Sequence, residues 1–171
     1  MTAQIVSAQR LVTPSGIIDW PRVTVDADGL VQSIEACRPG EPDGTTLAPA
    51  FFDPHIHGAA GRDVMEGSAE SFGALGRFLA AHGVGHFLAT TVTAPLDATL
   101  RALDAIATQI EARELNPAAS PQFAAPVGIH LEGPFLSHAK RGVHPPEALL
   151  EPSLETFTRL WEAARGRIVL M

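Results

Sequence analysis

Continuous apolar runs alternate with helical patterns from Phe51 onward, and this alternation constrains the fold more than any other feature. Runs without a two-residue period are typical of strands buried on both faces of a parallel sheet. Strands are predicted at 48–57, 85–92, 127–131 and 168–171, with helices at 68–81, 96–115 and 153–165 and a loop at 116–126. The order β-α-β-α-β-loop-α-β predicts a parallel sheet with right-handed crossovers.

The three helices are predicted from their caps and from their apolar periodicity. Ser68 and Ser153 are suitable N-cap residues. Apolar residues three and four apart form one face of each helix and are expected to point inward. These residues are Phe72, Leu75 and Leu79 in the first helix; Leu96, Leu100, Leu103, Ala107 and Ile110 in the second; and Leu154, Phe157, Leu160 and Trp161 in the third.

The first 48 residues have a different pattern, which predicts a separate small β domain ahead of a domain at 49–171. Val, Ile and Leu are frequent at 4–12 and 30–35, where strands are expected. Turn residues occur at 14–16 and 26–29, and a Pro/Gly-rich loop follows at 38–44.

Charge and composition exclude some classes of protein. Twelve basic and 19 acidic residues give a net charge of −7, which argues against a nucleic-acid-binding protein. We expect no membrane span and no signal peptide, because no apolar stretch is long enough and the start lacks a basic segment followed by an apolar one. Cys37 is the one cysteine, so an internal disulfide is excluded and a cytoplasmic protein is expected.

Two short motifs contain the residue types that bind metal ions. His55 and His57 lie two residues apart at the end of the first buried strand, so both rings point to one side. Glu132 ends the third strand, where a carboxylate is costly unless it is paired or bound to a metal. The carboxyl ends of the strands hold the active site in (β/α) barrels, so a shared metal site is predicted. The alternatives are unrelated loop histidines and a glutamate paired with an arginine.

Neighbouring polar residues have less specific interpretations. His130 lies on the same side of its strand as Glu132; it either packs, which the pattern favours, or donates to a metal ligand. Asp53 either orients a ligand or forms a hydrogen bond at the strand end. Lys140 and Arg141 are expected to be exposed on a loop.

The same motifs resemble a known family. The segment at 47–58, LAPAFFDPHIHG, is similar to the one that opens the barrel in the amidohydrolase superfamily. The segment at 127–135, VGIHLEGPF, followed by KRGVH at 140–144, resembles N-acetylglucosamine-6-phosphate deacetylases. The β-rich start is similar to the small sandwich domain of that family. The resemblance therefore implies an α/β fold, with part of a β-sandwich at 1–48 and the N-terminal half of a TIM-type (β/α) barrel at 49–171.

The resemblance also implies an activity and roles for individual residues. The activity is metal-dependent hydrolysis of a phosphorylated N-acetyl amino sugar to glucosamine 6-phosphate and acetate. Glu132 is implied as a metal ligand, and Val143 with His144 as substrate contacts. His55 and His57 match ligands that some members of the family have. One or two zinc or iron ions and a homodimeric complete enzyme are expected.

Two departures from the family pattern affect these expectations. Ala50 stands where the family often has glycine, and one methyl group there is expected to be tolerated. The catalytic Asp and two further metal-binding His residues of the family would lie beyond Met171, so no catalytic residue is assigned and the chain alone is expected to be inactive. The alternatives are a dihydroorotase-like or aminoacylase-like hydrolase and a truncated, non-catalytic product.

Overall fold

The computed structural model describes residues 4–38, 44–115 and 123–171. The chain divides into two compact units, Met1–Pro49 and Ala50–Met171. Together they contain both helices and sheets, so the chain has a mixed α/β structure. The identification of these units as part of a sandwich and half of a barrel stays a prediction.

In the described part of the first unit, the strands form two three-stranded sheets. The first sheet is antiparallel and consists of β1 (Gln4–Ser7), β4 (Pro21–Val25) and β5 (Val31–Ala36), in that order. The second has the order β3-β2-β6, from β2 (Arg10–Thr13), β3 (Gly16–Asp19) and β6 (Thr46–Leu47). Apolar side chains of both sheets, including Val6, Leu11, Val23 and Ile34, line a common cavity.

The segment 4–12, where strands are expected, contains one strand and the start of another, because the chain changes sheets within it. It leaves the first sheet after Ser7 and joins the second at Arg10, with Ala8 buried at the crossing. The turn predicted at 26–29 is confirmed. The Asp26 carboxylate accepts hydrogen bonds from the backbone N–H groups of Asp28 and Leu30, at 2.9 and 2.8 Å. Such a turn is typical of aspartate.

The second unit is built on a four-stranded parallel sheet, as predicted. Its strands are β7 (Phe51–Ile56), β10 (Val84–Thr91), β11 (Ala125–Leu131) and β12 (Ile168–Leu170), and they neighbour one another in chain order. A short hairpin of β8 (Gly58–Ala59) and β9 (Arg62–Asp63) follows the first of them. Strand β11 begins two residues earlier than predicted, and residues 116–122 of the predicted loop lie outside the described residues.

The three predicted helices are present and cover the sheet. They are α1 (Ala69–Ala81), α2 (Leu96–Leu115) and α3 (Leu154–Ala163). The side chains of Ser68 and Ser153 accept hydrogen bonds from the backbone N–H groups of Ser71 and Thr156, which confirms both caps. The inward residues of α1 and α2 pack with the sheet in one core that includes Phe87, Ile129 and Leu160.

Two expectations about burial are wrong. Leu154 and Trp161 of α3 are exposed, and of the four residues expected inward only Leu160 is fully buried. Strand β7 is not buried on both faces: Phe51 and Phe52 are 71% and 54% exposed. Within the described residues, β7 is an edge strand with a hydrogen-bonded neighbour on one side only. Its apolar side chains are therefore less covered than those of a central strand.

Basic residues after α3 connect it to α2. The guanidinium of Arg165 donates to Asp104 and Glu111, and Arg167 forms a two-bond pair with Glu114. Exposed ion pairs of this kind contribute little to the free energy of folding. Within the described ranges, no helix is long and apolar enough to cross a membrane.

The exposed edges generate a prediction for the isolated 171-residue chain. Among the residues that the structure describes, β7 and β12 are the two edge strands of the sheet, and Phe51 in β7 and Val169 in β12 are exposed. Open apolar edges pair with other chains, so we expect sedimentation velocity to show oligomers or aggregates and thermal unfolding to lack a sharp transition. The double variant Phe51→Lys/Val169→Lys should shift the chain toward monomer, whereas Leu115→Lys, at the exposed end of α2, should not. A wild-type monomer with one cooperative transition would contradict the prediction.

Candidate metal centre

The register of the parallel sheet brings the predicted metal ligands to one edge. Ala89 in β10 lies opposite Ile56 in β7, and Thr90 lies opposite His130 in β11. The residues that end or follow these strands, His55, His57 and Glu132, therefore meet at the carboxyl ends of neighbouring strands.

The three side chains form a cluster with suitable spacing for one ion. One possible ligand atom from each lies within 4.8 Å of the other two. Nε2 of His57 is 3.1 Å from Oε2 of Glu132, and Nε2 of His55 is 3.8 Å from the same oxygen. Two atoms bound to a tetrahedral ion at about 2.0–2.1 Å lie roughly 3.3 Å apart. The donor set and its spacing therefore fit a divalent ion such as zinc.

His57 is held in the form that leaves Nε2 free to bind a metal. Its Nδ1 lies 3.0 Å from the backbone carbonyl oxygen of Thr90, which can only accept a hydrogen bond. Nδ1 therefore carries a proton, and Nε2, which faces Glu132, is the nitrogen available to bind a metal. A histidine that donates its second nitrogen to a backbone carbonyl is the usual arrangement of a metal ligand.

His130 contacts His55 rather than only packing against the strand, which was the interpretation the sequence favoured. The two Nδ1 atoms are 3.2 Å apart, and Nδ1 of His130 is also 3.3 Å from the carbonyl oxygen of Pro54. Burial lowers the pKa of His130, and the neighbouring His55 lowers it further.

Of the two residues predicted as substrate contacts, the structure brings His144 to the cluster and leaves Val143 in the open. Nε2 of His144 is 3.4 Å from Oε1 of Glu132, and the ring is buried. Val143 is 96% exposed on the same loop. Arg141 braces this loop by donating to the carbonyl oxygen of His144 at 2.6 Å, and it is only half-exposed.

Asp53 forms a hydrogen bond with the backbone at the end of β7 and not with the ring of a candidate metal ligand. Its Oδ1 accepts a hydrogen bond from the backbone N–H of His55 at 3.1 Å. Sequence reasoning missed Thr90 and Thr93, the partners of His57 and His144. Their position near the carboxyl end of a buried strand was the one sign in the sequence that they lie near the site. The contact of Thr90 with His57 could not be predicted from its side chain, because it is made by the backbone carbonyl.

A His-x-His pair and a glutamate at the carboxyl ends of parallel strands are the features that the amidohydrolase resemblance predicts. No family model matches the sequence. Individual relatives do match, and they match over almost the whole chain.

The chain is 35% identical over 158 residues to the N-acetylgalactosamine-6-phosphate deacetylase of Escherichia coli O157:H7, a match that includes 91% of this chain and 40% of that protein. It is 31% identical over 171 residues to the N-acetylglucosamine-6-phosphate deacetylase of Bacillus subtilis, covering 94% of this chain and 41% of the relative. The chain thus spans about two fifths of the length of these relatives.

Solved structures give the same result. The N-acetylglucosamine-6-phosphate deacetylase of Thermotoga maritima superposes with a TM-score of 0.73 at 31% identity, over 91% of this chain and 39% of that one. The enzyme from Mycobacterium smegmatis superposes with a TM-score of 0.78 at 25% identity, over 96% and 42%. The chain is therefore a homologue of the N-acetylglucosamine-6-phosphate deacetylases, which confirms the resemblance and favours it over the dihydroorotase-like and aminoacylase-like alternatives.

The cluster predicts the effect of removing its ligands on metal binding. His57→Ala and Glu132→Ala should each reduce the zinc or iron bound, because each removes one of three converging donors. His86→Ala, an exposed histidine at the opposite end of β10, should leave the metal content unchanged. Metal content measured by mass spectrometry after dialysis checks this, and equal content in all four proteins would exclude a shared site.

Proposed function

We propose that the chain supplies part of the active site of a metal-dependent N-acetylglucosamine-6-phosphate deacetylase. The reaction is hydrolysis of the acetamide to glucosamine 6-phosphate and acetate. The observation that carries the proposal is the cluster of His55, His57 and Glu132 at the carboxyl end of the sheet, in a chain related to such deacetylases along almost its full length.

His55, His57 and Glu132 are the proposed metal ligands, for one or two zinc or iron ions. A bound ion would polarise the acetamide carbonyl and lower the pKa of a water molecule. Glu132 offers Oε2 on the side of the histidines, and His57 offers Nε2 because the Thr90 carbonyl holds its other nitrogen. The charge of one carboxylate and two neutral rings suits a divalent cation.

Val143 and His144 are the proposed substrate contacts. Val143 is fully accessible, and the loop that presents it is closed by the hydrogen bond from Arg141 to the His144 carbonyl. An exposed backbone on a braced loop can receive a sugar phosphate without rearranging, which limits the entropy lost on binding. Lys140, exposed on the same loop, adds a positive charge for the phosphate.

The fold assigned to this function is the first half of a (β/α) barrel preceded by part of a β-sandwich, with domains at 1–48 and 49–171. Two observations support it. Four parallel strands neighbour one another in chain order, as barrel strands do. The solved deacetylases superpose on nearly the entire chain. A homodimer and a cytoplasmic location are part of the proposal, from the resemblance and from the single cysteine.

The sugar could also be the C4 epimer, N-acetylgalactosamine 6-phosphate. The Escherichia coli relative, which is named for that substrate, is more similar in sequence than the Bacillus subtilis relative, at 35% against 31% identity. Both epimers contain the acetamide and the phosphate on which the proposed contacts act. Separate kcat/KM values for the two sugars would decide between them.

The proposal predicts the kinetics of the complete gene product. It should deacetylate N-acetylglucosamine 6-phosphate. Glu132→Gln should reduce kcat/KM by more than about 100-fold, because about 100-fold is the largest loss typical of residues that only support a metal ligand. Glu147→Gln, an exposed glutamate just after the loop, is the matched control and should behave as wild type. Acetate release coupled to a colour reaction measures this.

Two outcomes would contradict the proposal. One is equal activity of the Glu132→Gln and Glu147→Gln variants. The other is faster hydrolysis of dihydroorotate or N-acyl amino acids than of either sugar phosphate. Turnover by the purified 171-residue chain above a metal-free control would show that the catalytic groups are placed differently from the family pattern.

A further inference from the structure

Thr93 makes two contacts with a single atom of His144. Its backbone nitrogen is 3.3 Å from Nδ1 of His144, and its hydroxyl oxygen is 2.9 Å from the same nitrogen. Both side chains are buried: Thr93 is 4% and His144 is 7% exposed. Fifty-one residues separate them in sequence, so the contact joins the end of β10 to the loop that follows β11.

These contacts determine where the ring of His144 carries its proton. A backbone N–H can only donate, so Nδ1 must be an acceptor. A neutral imidazole with an acceptor at Nδ1 carries its hydrogen on Nε2. That nitrogen is 3.4 Å from Oε1 of Glu132, and a carboxylate oxygen is an acceptor. Donor therefore faces acceptor at both ends of the ring.

The opposite tautomer would be unfavourable at both ends. An Nδ1–H group could donate to the hydroxyl oxygen of Thr93 but would oppose its backbone N–H, and Nε2 would present a lone pair to the carboxylate of Glu132. Unmatched polar groups cost free energy when they are buried, and the ring of His144 is buried.

Gly133, directly after Glu132, leaves the space that Thr93 occupies. A Cβ atom added to Gly133 would lie 2.0 Å from the hydroxyl oxygen of Thr93, and the residue has φ +81°. Any side chain at this position would displace the threonine hydroxyl and strain the backbone. The glycine of the His-Leu-Glu-Gly-Pro segment therefore keeps Thr93 within reach of His144.

The two oxygens of Glu132 consequently have different neighbours. Oε1 faces His144, and Oε2 faces the two candidate ligands, His57 at 3.1 Å and His55 at 3.8 Å. We propose that Thr93 is a positioning residue: it fixes His144 as an Nε2–H donor to Oε1 of Glu132, so that Oε2 is the oxygen presented to the metal. The inference rests on the proposed metal site.

The first test is the tautomer of His144 in the metal-free complete gene product. Nitrogen NMR of protein with 15N-labelled histidine distinguishes protonated from acceptor ring nitrogens, and a His144→Gln variant identifies the signals. The expected result is an acceptor Nδ1 and a protonated Nε2. A protonated Nδ1 in the neutral ring would overturn the proposal whatever the protein does with metals or substrates.

The second test is zinc affinity, measured by competition with a chromogenic chelator. Thr93→Val removes the hydroxyl and keeps the shape, and it should weaken binding about tenfold, the low end for a residue that supports a ligand. Thr93→Ser should bind as wild type. Thr91→Val is the matched control: Thr91 is buried two residues away, and in the part of the chain that the structure describes its hydroxyl has no hydrogen-bond partner.

Equal zinc affinity of the Thr93→Val and Thr93→Ser variants would overturn the role of the hydroxyl. If wild-type protein binds no zinc, the proposed metal site fails, and comparison of the His144 tautomer in wild-type and Thr93→Val protein by NMR then decides whether Thr93 sets it. If Thr93→Val does not fold, as shown by circular dichroism, the wild-type NMR spectrum remains decisive.

Discussion

The candidate site depends on one constraint, the parallel hydrogen-bonded register of three neighbouring strands. Strand β10 is paired on both sides, with β7 through Ala89 and Ile56 and with β11 through Thr90 and His130. Slipping this strand by one residue would turn each of its side chains to the opposite face of the sheet, and all five residues of its second half are buried. The same register sets the distances among His55, His57 and Glu132. Core packing and ligand geometry are therefore consequences of one alignment.

Much of the fold follows from local sequence patterns. Ser68 and Ser153 define helix starts, and the apolar spacing of Leu96 to Ile110 defines the buried face of α2. The failures have physical causes. The chain changes sheets at Ala8, between two short strands, and the periodicity of the sequence does not indicate such a crossing. Leu154 and Phe51 are apolar yet exposed, since burial depends on which elements cover a surface and not on the residue itself.

The candidate metal ligands could be predicted from the sequence, as the helices could, but the residues that hold them could not. His55, His57 and Glu132 carry chemistry in their residue types, and their places at strand ends predict that they converge. The partners of those residues could not be predicted in the same way. Thr93 meets His144 across 51 residues of sequence, and Thr90 reaches His57 through its main chain. Contacts of this kind depend on the final register and leave little trace in composition or spacing.

The main-chain contact at Thr90 has a consequence for how the site tolerates sequence change. Every amino acid has a carbonyl oxygen, so the atom that orients His57 survives any substitution at position 90. The threonine hydroxyl there accepts from the backbone N–H of Ile56 instead, at 2.9 Å. His144 has this protection only for the longer of its two contacts, with the backbone nitrogen of Thr93, because the shorter one comes from a side chain. The two rings that flank the Glu132 carboxylate therefore differ in how well their contacts survive mutation. One substitution at position 93 can remove the hydroxyl that contacts His144, whereas no substitution at position 90 removes the carbonyl that contacts His57.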